Sequence, residues 1–317
     1  MANPHPDHRP ALSVVVPCYN ARATIRQCLE ALENQTLPRQ CYEIIVADSS
    51  SDGTTTIIRQ EFPTVRLLHS ETRLYYGMAR NLGLDAVTAD TILFVDSDCI
   101  AEKECLERHL AEHRQHPEAV AVMGGMVNGN PEAWWGWAIF LIEFSRFLPA
   151  GITRSVHDIV TANTSFKAWA FEKYGRFHTS NYSGEDKRFH GALAGSNALM
   201  RFAPAAIVAH RNRDSARAVL RHLHWLGQGV AHVRLENGEV TGSKRWLLLL
   251  APLLAPWRTA RIIRRSLTAA PALLGRVLLL WPCLLAGFLA MGLGEVRYTW
   301  DFLRPRWNRP GRVTPLP

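Results

Sequence analysis

The feature that most constrains this chain is an apolar run that closes on two acids, Ile92-Leu93-Phe94-Val95-Asp96-Ser97-Asp98-Cys99. Consecutive aliphatic, β-branched and aromatic residues read as a strand buried on both faces. Ionised carboxylates closing such a strand lose hydration that a cation must replace. Mg²⁺ is commonly held by one or two carboxylates plus substrate phosphates. The pattern therefore points to a metal–diphosphate site at the mouth of a sheet. The same residues also suit a plain turn, for which Asp and Ser are ordinary choices.

Two further runs repeat the design. Leu12 to Pro17 leads into Cys18-Tyr19-Asn20-Ala21, and Tyr42 to Ala47 leads into Asp48-Ser49-Ser50-Ser51-Asp52-Gly53-Thr54. Between them, Ile25, Cys28, Leu29 and Leu32 recur on one face of a helix over residues 24–33. A short strand at 65–68 and a helix at 77–86 precede the Phe94 strand. Strand alternating with helix predicts an α/β domain with a mixed, mostly parallel sheet. Such sheets bind ligands outside the carboxyl ends of their strands. Tyr19, Asp48 and the Asp96/Asp98 pair all fall there. Tyr19 is placed to stack on a base and Asp48 to accept a hydrogen bond from base or ribose. Arg80 can offer a diphosphate its planar fork. Each also fits a blander role, as a turn residue or a solvated helical arginine.

The formal charge of +8 raises the question of nucleic acid, which its distribution answers. Residues 241–317 hold 12 Lys+Arg against 2 Asp+Glu, leaving 24 against 26 in the rest. Basicity confined to one segment suits an anionic membrane surface, not a nucleic-acid groove. The six cysteines form no CxxC pair, and several sit in or beside apolar runs as small hydrophobes. Residues 1–10 are polar, rich in Pro and His, and without the apolar core of a signal peptide, which predicts a flexible start and a body in the reducing cytosol.

Four segments together resemble family 2 of the inverting glycosyltransferases, with its GT-A nucleotide-sugar fold. They are Ser13 to Asn20, Val46 to Thr54, Gly77-Met-Ala-Arg-Asn-Leu-Gly83 and Phe94-Val-Asp-Ser-Asp98. The resemblance implies that Pro17, Tyr19, Asn20 and Asp48 line the nucleoside pocket, with Arg80 near the diphosphate. It places Asp96 at the ribose or metal and makes Asp98 the main protein ligand of Mg²⁺ or Mn²⁺. Ala47 stands where the family often has a further acid, which leaves the base contact to Asp48; a UDP-sugar is the favoured donor. The segment Val160 to Phe166, with Asn163, resembles the loop beneath the sugar. Glu185-Asp186 resembles the acidic pair, implying Asp186 as the base that takes the acceptor's proton and Glu185 as its orienting neighbour. His210, after Val208-Ala209, matches a third metal position. Arg221-His222-Leu223-His224-Trp225 keeps only the Trp of the Q-x-x-R-W found in processive synthases, which favours single-sugar transfer with Trp225 on the acceptor side.

Trp134 to Phe147 is strongly aromatic and reads either as a core helix or as an interfacial one touching lipid or a lipid-linked acceptor. In the tail, 246–257 is apolar but too short to span about 30 Å of hydrocarbon. Arg258 to Arg265 intersperses arginine with isoleucine, as in a segment lying on headgroups. Residues 273–293 are long enough for one crossing, yet arginines, among them Arg297, Arg304, Arg306, Arg309 and Arg312, lie on both sides. This predicts a monotopic or re-entrant hairpin, with a single span as the alternative. The expected organisation is thus a GT-A domain over 11–240 and a membrane-associated helical region over 241–317. The expected activity is sugar transfer to a glycan or lipid-linked acceptor at the cytoplasmic membrane face. Rival readings are a processive synthase, a nucleotidyltransferase, for which 17–21 lacks a Gly-rich phosphate loop, and a non-catalytic nucleotide-sugar-binding membrane protein.

Overall fold

The computed structural model describes residues 9–304. Most of the proposed flexible N-terminus, and Arg306, Arg309 and Arg312, lie outside the described residues. The first half alternates as its sequence predicts: β1 (Leu12–Cys18), α1 (Ile25–Glu33), β2 (Tyr42–Asp48), α2 (Thr54–Glu61), β3 (Arg66–His69), α3 (Tyr76–Leu84) and β4 (Thr91–Val95). Then come β5 (Cys99–Ala101), α4 (Cys105–Gln115), β6 (Ala121–Asn128), α5 (Trp134–Phe144), β7 (Arg154–Val156), β8 (Asn163–Lys167), α6 (Trp169–Tyr174), α7 (Glu185–Gly195) and β9 (Met200–His210). A long α8 (Ala216–Glu236) leads to a 3₁₀ segment (Gly242–Leu254), α9 (Ala255–Ala269), α10 (Leu274–Leu279) and α11 (Trp281–Leu303).

The strands form one sheet in the order β3-β2-β1-β4-β8-β6-β9-β5, with β7 paired to β9. The half from β3 to β4 is parallel throughout; β1, β2 and β4 are buried because helices cover both faces, while β3 is a partly exposed edge strand. Beyond β4 the sheet turns mixed: β8 runs antiparallel to β4 and β6, while β6 and β9 are parallel. Two close approaches fix α3 on this sheet. A Cβ on Gly83 would lie 2.3 Å from Val15 Cγ1, and one on Gly77 would lie 2.2 Å from the His178 carbonyl oxygen. Glycine at both sites lets α3 press against β1 and against the segment that leads into α7.

α5 is a core helix, with Gly136, Ala138, Ile139, Phe140, Leu141 and Phe144 buried and Trp134 half exposed. The tail is not a detached arm. α11 lies along α8 at glycine-to-backbone distance: Cβ atoms on Gly227 and Gly294 would each come within 1.9 Å of the facing helix's carbonyl oxygen. Fully buried Glu295 accepts from Arg234 of α8 (3.2 Å) and Arg258 of α9 (2.7 Å), tying three helices together. By length and composition Gly242–Thr268 is apolar enough to cross a membrane. The 273–293 stretch is not one straight helix; Pro271–Leu279 and Trp281–Leu303 meet at a bend of 74°.

Candidate active site

Four chain segments meet beyond the carboxyl ends of the strands. β4 ends at Val95 and delivers Asp96 and Asp98 into the turn before β5. Cys99 of β5 pairs with His210, the last residue of β9, and this register brings His210 Nε2 to 3.4 Å from Asp98 Oδ1. His210 Nδ1 lies 3.0 Å from Asn212 Oδ1. The orientation of that amide is set by its NH₂, which donates to Asn128 Oδ1 (2.8 Å) and to the His210 carbonyl (2.9 Å). Nδ1 therefore donates to Asn212, and Nε2 is left facing a carboxylate oxygen of Asp98. These two atoms lie close enough to hold a divalent cation between them, with Asn212 as the outer partner that orients the histidine. Cys99 lies in the same group, and burial pushes its thiol well above the usual range. Phe144 closes the site from α5, its ring centroid 4.8 Å from that of His210.

Arg80, buried on α3, donates through Nη1 to Glu185 Oε1 and through Nη2 to Asp96 Oδ1 at 3.1 Å. It is therefore not a solvated helical arginine. Both ends are taken by carboxylates, and it braces the strand-end acids against the acidic pair of α7. Its own pKa is raised: burial opposes this, but Asp96, Glu185 and Asp186 outweigh it. Burial pushes Asp96 up against the pull of Arg80.

Gly184 caps α7 with φ of +99°, the left-handed region that glycine adopts freely. The turn presents Glu185 and Asp186 at the helix start. Asp186 Oδ2 accepts from Thr161 Oγ1 at 3.5 Å. Burial would raise its pKa, but His190, Arg80, Lys187 and the Lys187 N–H outweigh burial and hold it below the ordinary value. Burial pushes Glu185 the other way, to about 7, despite Arg80. The pair is thus split, with Asp186 the member that stays ionised.

Asp98, His210, Glu185, Asp186, Asp96, Arg80, Pro17 and Trp225 all line one cavity of about 540 Å³. A second cavity, of about 710 Å³, holds Tyr19, Asn20, Arg73 and Tyr75 and shares Pro17, Tyr76, Asp98 and Trp225 with the first. Tyr19 is exposed, with the Arg73 guanidinium 4.3 Å from its ring centroid. Asn20 sits at φ of +51° and latches the loop after β1 to the loop after β2, accepting from Ser51 N and donating its own N–H to Ser50 Oγ. Trp225 lies against Tyr76 with the rings tilted by 41° and their centroids 6.1 Å apart, where the two cavities join.

Two expectations are corrected. Asp48 lines neither cavity: it is fully buried and accepts from Ser50 N, Ser50 Oγ (2.5 Å) and Thr55 Oγ1 (2.6 Å), with His69 Nδ1 at 2.9 Å. It organises the loop after β2 without facing a base. Asn163 is likewise inside the sheet. β6 and β9 slip register at Gly124/Gly125, and Asn163 Nδ2 fills that irregularity by donating to the Gly125 and Ala206 carbonyls, while Oδ1 faces His109 Nε2 at 2.9 Å. From that segment it is Val160, Thr161 and Ala162 that reach the cavity. Residues the sequence did not single out include Asn212, Arg73 and Tyr76; the Gly77 motif flanked Tyr76, and the short step from His210 marked Asn212.

An α/β sheet that gathers strand-end acids, a histidine and a split acidic pair in one cleft is the arrangement of a GT-A glycosyltransferase. The model of the family "Glycosyl transferase family 2" matches residues 13–175, and the chain belongs to that family. Glycosyltransferase AglE of Haloferax volcanii is 26% identical over 295 residues, covering 87% of this chain and 93% of that protein. Pre-mycofactocin glycosyltransferase of Mycobacterium tuberculosis is 25% identical over 299 residues, covering 85% of this chain but only 61% of the relative. The fold is shared with mannosyltransferase PcManGT from Pyrobaculum calidifontis, solved with GDP-Man and Mn²⁺ (TM-score 0.60, 21% identity, 94% of this chain and 90% of that one). It is also shared with S. aureus TarS 1-349 in complex with UDP-GlcNAc (TM-score 0.53, 17% identity, 90% and 91%).

Proposed function

We propose that this glycosyltransferase moves one sugar, with inversion, from a nucleotide-sugar to a hydroxyl of a lipid-linked or cell-envelope glycan. The observation that carries the reading is the shared cavity: Asp98 and His210 face each other at 3.4 Å, and Asp186 lines the same space. The nucleoside occupies the groove of Tyr19, Asn20 and Arg73, with UDP the favoured nucleotide. Asp98 and His210 hold Mg²⁺ or Mn²⁺, with Asp96 adjoining. When bound, the cation offsets charge gathering on the departing nucleoside diphosphate. Asp186 accepts the proton of the acceptor hydroxyl as its oxygen bonds to the anomeric carbon and the carbon–oxygen bond to the diphosphate breaks. Glu185, held by Arg80, fixes the start of α7, and Trp225 walls the acceptor side.

Asp186→Asn keeps the shape and removes the proton acceptor. It should retain UDP and Mn²⁺ affinity and lose transfer by roughly 10²- to 10⁴-fold. Transfer at the parent rate would remove Asp186 from this role.

The chain sits on the cytoplasmic, anionic face of the membrane through residues 241–317. Supporting this, the 3₁₀ segment and the start of α9 expose Trp246, Leu247, Leu250, Leu253, Leu254 and Trp257 beside the arginines of α9. The protein should float with phosphatidylglycerol vesicles and less with neutral ones at low salt. Equal recovery with both would remove the anionic surface from the reading.

A further inference from the structure

The cavity that holds Asp186 has a second wall, built by the end of α5, by α8 and by α9, and it is cationic. Arg146, Arg234, Arg258, Arg261 and Arg265 all line it. Only part of that charge is balanced. Asp158 pairs with Arg146, and Glu295 takes Arg234 and Arg258. Among the described residues no carboxylate lies within 4.0 Å of a guanidinium nitrogen of Arg261 or Arg265. Arg265 is half-buried, and its Nη1 donates only to the neutral Ser145 Oγ, at 2.7 Å. Arg258 keeps a buried Nη1 with no partner. Burial, then the like charges of Arg146, Arg261 and Arg264, push Arg265 down to about 10. Guanidinium groups drawn from water and crowded together lack a counter-charge.

The donor's nucleoside end lies away from it. The groove of Tyr19 and Arg73 contains none of the α9 arginines, and the Asp98/His210 pair stands on the strand ends. We infer that Arg258, Arg261 and Arg265 bind a phosphate ester carried by the acceptor, seated across the cavity from the donor. Planar guanidinium groups match phosphate oxygens two at a time. The exit from this wall favours an ester of a lipid. The helix that carries the arginines exposes Trp257 at its start, next to Leu253 and Leu254, so a phosphate held here passes its substituent to an apolar face. The inference rests on the proposed transfer reaction for its geometry and extends it to the chemistry of the acceptor.

Binding of dodecyl phosphate, dodecyl maltoside and glycerol 3-phosphate to the full chain, with UDP and Mn²⁺ present, tests it. The parent should prefer dodecyl phosphate to dodecyl maltoside. Arg265→Gln and Arg261→Gln should each cut that preference by roughly tenfold, the loss of a charge-assisted bond. Arg261 is exposed, so its replacement does not depend on refilling the core. If glycerol 3-phosphate binds as well as dodecyl phosphate, with the same dependence on the arginines, the phosphate site stands and its source is soluble. A preference absent from the parent, or unchanged in both variants, overturns the inference. UDP binding with Mn²⁺ is read in the same samples, and its absence from the parent would instead strike at the transferase reading.

Discussion

The two walls of the cavity solve the problem of buried charge in opposite ways. On the strand-end wall every acid has a partner: Asp96 and Glu185 share Arg80, Asp98 faces His210, and Asp186 is held by Thr161 and the field of nearby cations. On the α9 wall, arginines outnumber the acids that meet them. The charges of the first wall are paired among themselves, and those of the second are only partly paired. On the proposed reading, the transfer chemistry sits on rigid strand ends and acceptor choice on helices that arrive late in the chain.

Arg80 is where this contrast breaks most easily. Arg80→Met keeps the length of the side chain and removes the cation from between two carboxylates. Removing one member of a buried ionic cluster costs about 3–5 kcal/mol, because the remaining charges stay buried and unpaired. Denaturant unfolding should show a loss of that size, and the α7 start that carries Asp186 should loosen with it. A loss below about 1 kcal/mol would mean that the strand-end wall is not a mutually neutralised unit.

The same contrast governs how much could be read from sequence. The parallel half of the sheet announces itself, since strands buried on both faces are unbroken apolar runs and the acids at their ends stand out against them. Which way an end residue points is another matter. Asp48 ends β2 just as Asp96 follows β4, yet pairing with β3 brings His69 to Asp48 and turns it inward. The surroundings of Asn163 come from a register slip between β6 and β9, and the two carbonyls it meets lie 38 and 43 residues from it in the chain, so no local pattern marks them. Arg80 lies 105 residues from Glu185, so its bracket was invisible although both residues were singled out. The α9 wall was least legible. Its arginines read as a stripe for headgroups, and only the docking of α11 on α8, through Gly227, Gly294 and Glu295, turns them toward the cavity.

Next in size is the outer partner of the cation site. Asn212→Ala leaves Asp98 and His210 in place and removes the acceptor that keeps the proton on His210 Nδ1. Loss of such a partner typically weakens metal binding 10- to 100-fold. Titration of Mn²⁺ in the presence of UDP should show a shift in that range, beside a loss of about 1–3 kcal/mol in unfolding as Asn128 Oδ1 and the His210 carbonyl lose their donor. An unchanged Mn²⁺ requirement would leave the histidine without a ligand role.

The smallest effect on the site should come from a residue that the sequence placed on the acceptor side. Asn163→Ala strips the Gly125 and Ala206 carbonyls of a donor and His109 Nε2 of its partner, all within the sheet. Leaving buried polar groups unsatisfied costs about 1–3 kcal/mol. That loss should appear in unfolding, while KM for donor and acceptor stays at the parent value, because Asn163 lines neither cavity. A KM change without a stability change would put Asn163 back beneath the sugar and make the register slip at Gly124/Gly125 part of acceptor recognition.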